Sequence, residues 1–241
     1  MNLDLDILVN LTKGSLKDKH ETRTFLVDYF KKDGLNVFDA SEKAETHLRH
    51  FIEAAQEYID NCNEINCSCI FNDVNWNILT INRNYFKVLG IKSQLQNLTW
   101  QEFEDFCGLL VRKCFKVENI LITQRSNDGG VDFKGKIPLK PKYSKSPYGY
   151  IELFGQAKKY ACNIGRPEVD LFTAYANRQK RDNRYPAQLF LLFTTSDFVS
   201  SARDEIKKNN FIGLNGLQLA TLVFNQLCEE NIEQINLSNF K

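Results

Sequence analysis

Histidine is scarce in this chain of 241 residues: there are three, at His20, His47 and His50, too few to support a hydrolase built on a histidine-ligated metal. The chain lacks the G-x-S-x-G elbow of serine hydrolases and the G-x-x-x-x-G-K-[ST] loop that cradles nucleotide phosphates, so neither Ser-His-Asp chemistry nor nucleotide hydrolysis is expected. No apolar run reaches the ~18 residues needed to cross a bilayer. The start, Met1-Asn2-Leu3-Asp4-Leu5-Asp6, lacks the basic region of a signal peptide. Net charge is only +1, so overall charge says nothing about nucleic acid. The seven cysteines are odd in number and irregularly spaced, which fits reduced thiols better than a disulfide framework. Cys62, Cys67 and Cys69 cluster, but their spacing matches zinc knuckles poorly. A soluble, cytoplasmic chain with no membrane partner is the expectation.

What is present is concentrated between Gly129 and Lys158. Gly129-Gly130-Val131-Asp132-Phe133 brings an acidic residue to the end of an apolar strand. After a basic stretch, Phe154-Gly155-Gln156-Ala157-Lys158 sets Gln and Lys two apart. Residues two apart in a strand share a face, so Gln156 and Lys158 project together while Ala157 points the other way. Paired strands would bring Asp132, Gln156 and Lys158 to one edge. Mg²⁺ takes oxygen ligands, often one or two carboxylates with waters and phosphate oxygens. A nearby ammonium supplies a point charge for a developing phosphoryl anion. Such a triplet outlines a metal-dependent phosphodiesterase; the alternative is a surface Lys158 paired to Asp132.

From Thr99 to the C-terminus the chain resembles the catalytic domain of Mrr-like restriction endonucleases, within the PD-(D/E)XK nuclease group. Thr99-Trp100-Gln101-Glu102-Phe103-Glu104 is similar to that family's opening helix. Ser126-Asn127-Asp128-Gly129-Gly130-Val131-Asp132-Phe133 is similar to its turn into the metal-binding Asp, and Gly155-Gln156-Ala157-Lys158-Lys159-Tyr160 to its Gln-x-Lys strand. Phe193-Thr194-Thr195-Ser196-Asp197-Phe198 and the segment from Gly213 to Ala220 resemble the closing strand and last helix. The resemblance implies a restriction-endonuclease-like α/β core, a mixed sheet flanked by helices. It implies Asp132, Gln156 and Lys158 as catalytic residues, with Glu104 a supporting carboxylate. Asp132, Gln156, Glu104 and the backbone carbonyl of Ala157 would serve Mg²⁺, for which Mn²⁺ would substitute. Two departures stand out: an insertion from Lys136 to Lys145, and Asn215 where the family often carries Asp.

Periodicity gives the same order of elements without the family. Thr99 and Glu102 form a capping box ahead of Phe103, Phe106, Leu110 and Val111, an amphipathic helix on whose apolar face Cys107 and Cys114 fall. Strands are expected at 117–123, 131–135, 150–160 and 188–193, the last a continuous apolar run suited to burial on both faces. Helices are expected from Arg166, with Pro167 in the first turn, over 198–208, and over 217–229. A short segment at Phe211-Ile212 completes an α-β-β-β-α-β-α-β-α series.

Between Lys134 and Arg184 there are twelve Lys and Arg against four acidic residues. Lys140, Lys142, Lys145, Lys159, Arg178, Lys180 and Arg181 flank the triplet, with Tyr160 among the interleaved aromatics. Such a basic groove fits a DNA backbone. Residues 1–98 differ in character. Helical periodicity runs over 22–32 and again over 41–60 with Ser41 as cap, while 61–84 is rich in Asn and suggests loop or short strand. A mostly helical N-terminal domain (1–98), for recognition or binding a further partner, would precede the nuclease domain (99–241). The overall expectation is a metal-dependent DNA endonuclease of restriction or defence, working as a possible homodimer. The alternatives are a non-catalytic nucleic-acid binder that keeps the fold, or a nuclease for branched or damaged DNA.

Overall fold

The computed structural model describes residues 3–14, 17–123, 130–140, 149–182 and 187–240, with backbone alone at 181 and 182. It divides into two compact units, residues 1–89 and 90–241.

The first unit is built on α2 (Thr22–Lys32) and α3 (Val37–Glu64), with α1 (Leu5–Lys13) before them. It also holds a three-stranded antiparallel sheet ordered β1-β3-β2, from β1 (Lys19–Glu21), β2 (Phe71–Val74) and β3 (Ile78–Ile81). Phe25, Leu26, Phe51, Ile52, Ala55, Phe71 and Leu79 are buried in its core. The expected start of α3 at Ser41 is corrected. Asn36 is the cap, its side chain accepting from the amides of Phe38 and Asp39, both at 3.0 Å. Ser41 instead donates to the Val37 carbonyl within the helix. The first turn was hidden because Val37 and Phe38 are exposed apolar residues lying off the buried stripe. Helix α4 (Asn84–Asn97) had no forecast at all.

In the second unit, the sequence order holds throughout. α5 (Trp100–Cys114) is followed by β4 (Glu118–Ile122), β5 (Phe133–Leu139) and β6 (Gly149–Lys158), then α6 (Arg166–Asp182) and β7 (Gln188–Thr194). α7 (Ser200–Lys208), β8 (Ile212–Leu214) and α8 (Gly216–Glu229) complete it. The predicted capping box at Thr99 forms, with Glu102 Oε2 accepting from the Thr99 amide at 2.7 Å. The sheet runs β4-β5-β6-β7-β8. β4, β5 and β6 pair antiparallel, whereas β6, β7 and β8 pair parallel. Parallel neighbours need crossovers, and α6 and α7 supply them. Phe154, Phe190 and Leu192 pack on one face with Phe172 and Tyr175 of α6 and Ile206 of α7. α5 lies against β4, β5 and β6, and α8 against β7.

The strand expected over 131–135 is longer and takes in the first residues of the expected insertion. Lys136 to Leu139 are the second half of β5, paired with Glu152 to Gly149 of β6. Pro138 obscured this, since proline cannot donate to a ladder. It is tolerated because β4 pairs with β5 only as far as Lys136.

Candidate active site

Three backbone details place Asp132. Gly130, with φ of +97°, takes a left-handed conformation that favours glycine and turns the chain towards β5. Asp132 N donates to the Gly155 carbonyl, and the Asp132 carbonyl accepts from Thr123 N, both at 2.9 Å. The Thr123 hydroxyl also donates to the Val131 carbonyl. The Asp132 carboxylate then accepts from the Ala157 amide through Oδ2 at 2.7 Å. The acid is thereby tied to the backbone between Gln156 and Lys158.

Gln156 is 7% exposed. Its Nε2 donates to the Gly130 carbonyl at 2.5 Å. A carbonyl can only accept, which fixes the orientation of the amide. The other end, Oε1, is buried and has no hydrogen-bond partner among the described residues. Lys158, at the end of β6, is half-buried and takes no ion pair among the described residues, so it is not a surface lysine neutralised by Asp132.

Gln156 and Lys158 line a cavity of about 470 Å³ with Gly130, Tyr160, Glu168 and Arg178. Arg178, like Lys158, takes no ion pair among the described residues. Glu168 received no role from the sequence, where Arg166-Pro167-Glu168 was legible only as a helix start. The clue available was its place as one of few acids in a basic stretch.

Glu104 lies on α5, one turn before Cys107. Burial, then the negative fields of Asp132 and Glu104, push the fully buried Cys107 thiol well above its ordinary range. Both carboxylates therefore act on the same point beneath the sheet, although neither lines the cavity.

The remaining candidates are dispersed. Tyr160 is exposed and Lys159 half-buried, just past β6. The Lys180 ammonium sits over the rings of Phe190 and Phe211, at 5.5 and 6.0 Å. Lys140 follows the far end of β5, roughly 25 Å along the strand from Asp132 at ~3.3 Å per residue. Lys142, Lys145 and the Arg181 side chain lie outside the described residues, as do residues 124–129. Cys62, Cys67 and Cys69 are buried in the first unit.

A divalent cation fits this donor set. An acceptor-only carboxylate and a buried amide oxygen without a donor are the hard oxygen ligands that Mg²⁺ takes. Among the described residues no three His, Cys, Asp or Glu side chains converge, so neutral oxygens have to supplement the acid.

The Mrr_cat family model, described as restriction endonuclease, matches residues 95–223. No curated protein matches the chain. Among solved structures, the MspJI restriction endonuclease in complex with a 27-mer oligonucleotide is 19% identical, with a TM-score of 0.44, covering 62% of this chain and 33% of its own. AspBHI, a DNA modification-dependent restriction endonuclease, is 17% identical at a TM-score of 0.44, covering 64% and 37%. The restriction endonuclease FokI is 11% identical at 0.40, covering 93% and 43%. This chain thus spans less than half the length of each. With the family match extending over more than half of its residues, the chain belongs to the Mrr_cat restriction endonuclease family.

Proposed function

We propose that this chain is a divalent-cation-dependent DNA endonuclease that serves restriction or defence against foreign DNA. One observation carries the reading. A single cavity gathers a buried amide oxygen without a donor (Gln156) and two cations without counter-ions among the described residues (Lys158 and Arg178), beside the strand that anchors Asp132. Such a cavity complements a ligand of both signs, namely phosphate oxygens accompanied by a metal ion.

Asp132, Gln156 Oε1 and the Ala157 carbonyl are assigned to hold Mg²⁺, with Mn²⁺ able to replace it and Glu104 acting on its water shell. When bound, such an ion activates water and neutralises charge on the phosphoryl oxygens. The protein's own contribution is placement. The Ala157 amide holds one Asp132 oxygen in position, and Gly130 holds the Gln156 amide so that its oxygen faces away from the turn. Lys158 orients the attacking water or stabilises the developing phosphoryl charge. Lys159, Tyr160 and Arg178 are assigned to the DNA backbone near the cut. Lys140, Lys142, Lys145, Lys180 and Arg181 are assigned contacts further along it. Residues 1–98 are assigned target recognition or the binding of a partner, and residues 99–241 the nuclease. Because one site cuts one strand, double-strand cleavage calls for two copies.

The test is cleavage of plasmid and of methylated and unmethylated genomic DNA, with Mg²⁺ or with EDTA, beside Lys158→Ala. Cutting that requires the metal and vanishes in the variant is expected. Metal-independent cutting, or normal cutting by the variant, would overturn the proposal. DNA binding without cutting in either protein would replace the enzyme with a binding module on the same fold.

A further inference from the structure

Among the described residues, Glu168 is the one acidic side chain lining the cavity that holds Gln156 and Lys158. It is the third residue of α6, in the first turn, and its Oε2 lies 3.2 Å from where a methyl on Gly165 would stand. That oxygen is buried and has no hydrogen-bond partner among the described residues. Burying a carboxylate oxygen without a donor is costly, yet neither Lys158 nor Arg178, lining the same cavity, pairs with it. Gln156 Oε1, on the strand facing α6, is in the same state, in a side chain that is only 7% exposed. Two residues lining one cavity, on different elements, therefore each carry a buried oxygen that lacks, among the described residues, the partner that ordinarily accompanies burial.

A helix-capping role does not account for this. A Glu at the third helical position can reach back to the amide at the start of the helix, and its charge favours the helix N-terminus. That role would pair Oε2, the oxygen beside Gly165, with an amide at the start of the helix, and among the described residues Oε2 has no such partner.

Resting on the nuclease reading above, we propose that Glu168 is the second carboxylate of the cation site, acting from α6 with Gln156 Oε1 while Asp132 acts from the head of β5. The Gln-x-Lys strand provides a neutral ligand where an acid would serve a divalent ion better, so Asp132 is the only acid of the triplet. Mg²⁺ is commonly held by one or two carboxylates. Glu168 restores the second negative charge from the next element of the chain.

The experiment is Mn²⁺ binding to the full chain in the absence of DNA, followed by electron paramagnetic resonance of the free ion. Wild type is compared with Asp132→Ala, Glu168→Gln and Asp170→Asn. Gln retains the ability to cap the helix and removes only the charge. Asp170 is the next acid on α6, exposed and paired with Arg166, and controls for loss of charge from that helix end. Glu168→Gln is expected to weaken Mn²⁺ on the order of 10-fold or more, the scale of removing a group around a bound metal, while Asp170→Asn leaves it unchanged. Should Glu168→Gln fail to fold, as judged by the melt of the metal-free protein, Glu168→Ser carries the same expectation. Binding weakened by Asp132→Ala but not by loss of Glu168 overturns this assignment and leaves the nuclease reading intact. Equal weakening by Asp170→Asn also overturns it, since the effect would then be general charge. A wild type that binds no Mn²⁺, or an Asp132→Ala variant that binds it normally, overturns the metal site itself and Glu168 with it.

Discussion

Gly155 separates Phe154 from Gln156 on β6, opposite Phe133, and its lack of a side chain is what lets β5 approach. A methyl added there would stand 1.9 Å from Phe133 Cε2 and 2.0 Å from Cζ. Ordinary carbon contacts lie near ~3.5 Å, so the ring would have to retreat by about 1.5 Å. It has nowhere to go: Phe133 is fully buried, with its ring centroid 5.8 Å from that of Phe193. Overpacking of a tight core costs typically ~1–3 kcal/mol, and a ring blocked on its far side belongs at the upper end, about 3 kcal/mol. For a unit of this size Gly155→Ala should lower the Tm by ~6–12 °C. It should also damage activity, because the Gly155 carbonyl binds the Asp132 amide and Phe133 is Asp132's chain neighbour. A displacement of ~1 Å at the reacting groups can cost on the order of 100-fold in rate. Thermal melts and Mg²⁺-dependent cleavage are measured for Gly155→Ala, Phe133→Leu and the double variant. Leucine makes room for the methyl, so the double variant should be more stable than the two losses summed, by ~1–3 kcal/mol of coupling. A Gly155→Ala protein that melts within ~2 °C of wild type, or a double variant whose losses simply add, would refute the reasoning.

Three further outcomes follow from the same structure. Lys158→Ala and Asp132→Ala should each lower single-turnover cleavage by ~100-fold or more while DNA affinity, measured by anisotropy, changes little; cleavage at the wild-type rate in either would remove that residue from the site. Asn215 caps α8 in a reciprocal box with Gln218 and also donates to Asp197 at 3.0 Å. Asn215→Ala should therefore cost ~1 kcal/mol or slightly more, read by urea denaturation, and an unchanged midpoint would count against the cap. Burial, the leading cause, pushes the Cys114 thiol up from 9.0 to about 11. Below about pH 9 the thiol is protonated in both states, so its stabilising contribution is complete; between about 9 and 11 only the unfolded chain ionises it, and stability falls as pH rises. Cys114→Ala should flatten that alkaline loss by about 1–2 kcal/mol after allowance for partial solvation, and parallel stability curves for the two proteins would refute it.

The second unit was legible because its signals are local and redundant. The Thr99 box, the buried run at 188–193 and the Pro167 start each name an element without help from distant residues. The candidate triplet was legible for the same reason, two of its members being two apart on a single strand. What escaped was set by tertiary context. Pro138 disguised half of β5, and its tolerance depends on where β4 stops pairing. In α4 the buried positions Tyr85, Val88, Ile91 and Leu95 are helically spaced, but Phe86, Leu89 and Gly90 break the polar face and blur the stripe. Glu168 escaped because the sequence shows an acid opening a helix, while its meaning depends on which strand that helix faces. The basic residues were the least legible. Charge along the chain does not reveal that Lys180 stacks on Phe190 and Phe211 or that Lys140 sits at the far end of a hairpin.

The topology itself explains why these groups meet. β6 is the strand at which the sheet changes sense, pairing antiparallel to β5 and parallel to β7. Its carboxyl end therefore lies beside the beginning of β5, which delivers Asp132, and beside the end of β7. From that end the chain must leave the sheet to make the crossover through α6, so the first turn of α6, with Glu168, opens close to where Lys158 closes the strand. Ligands in open α/β sheets bind outside the carboxyl ends of the strands for this reason: the departing connections leave a crevice there. An acid from an arriving strand, an amide and an ammonium from a departing one, and a carboxylate from the helix that follows are brought together by chain direction alone.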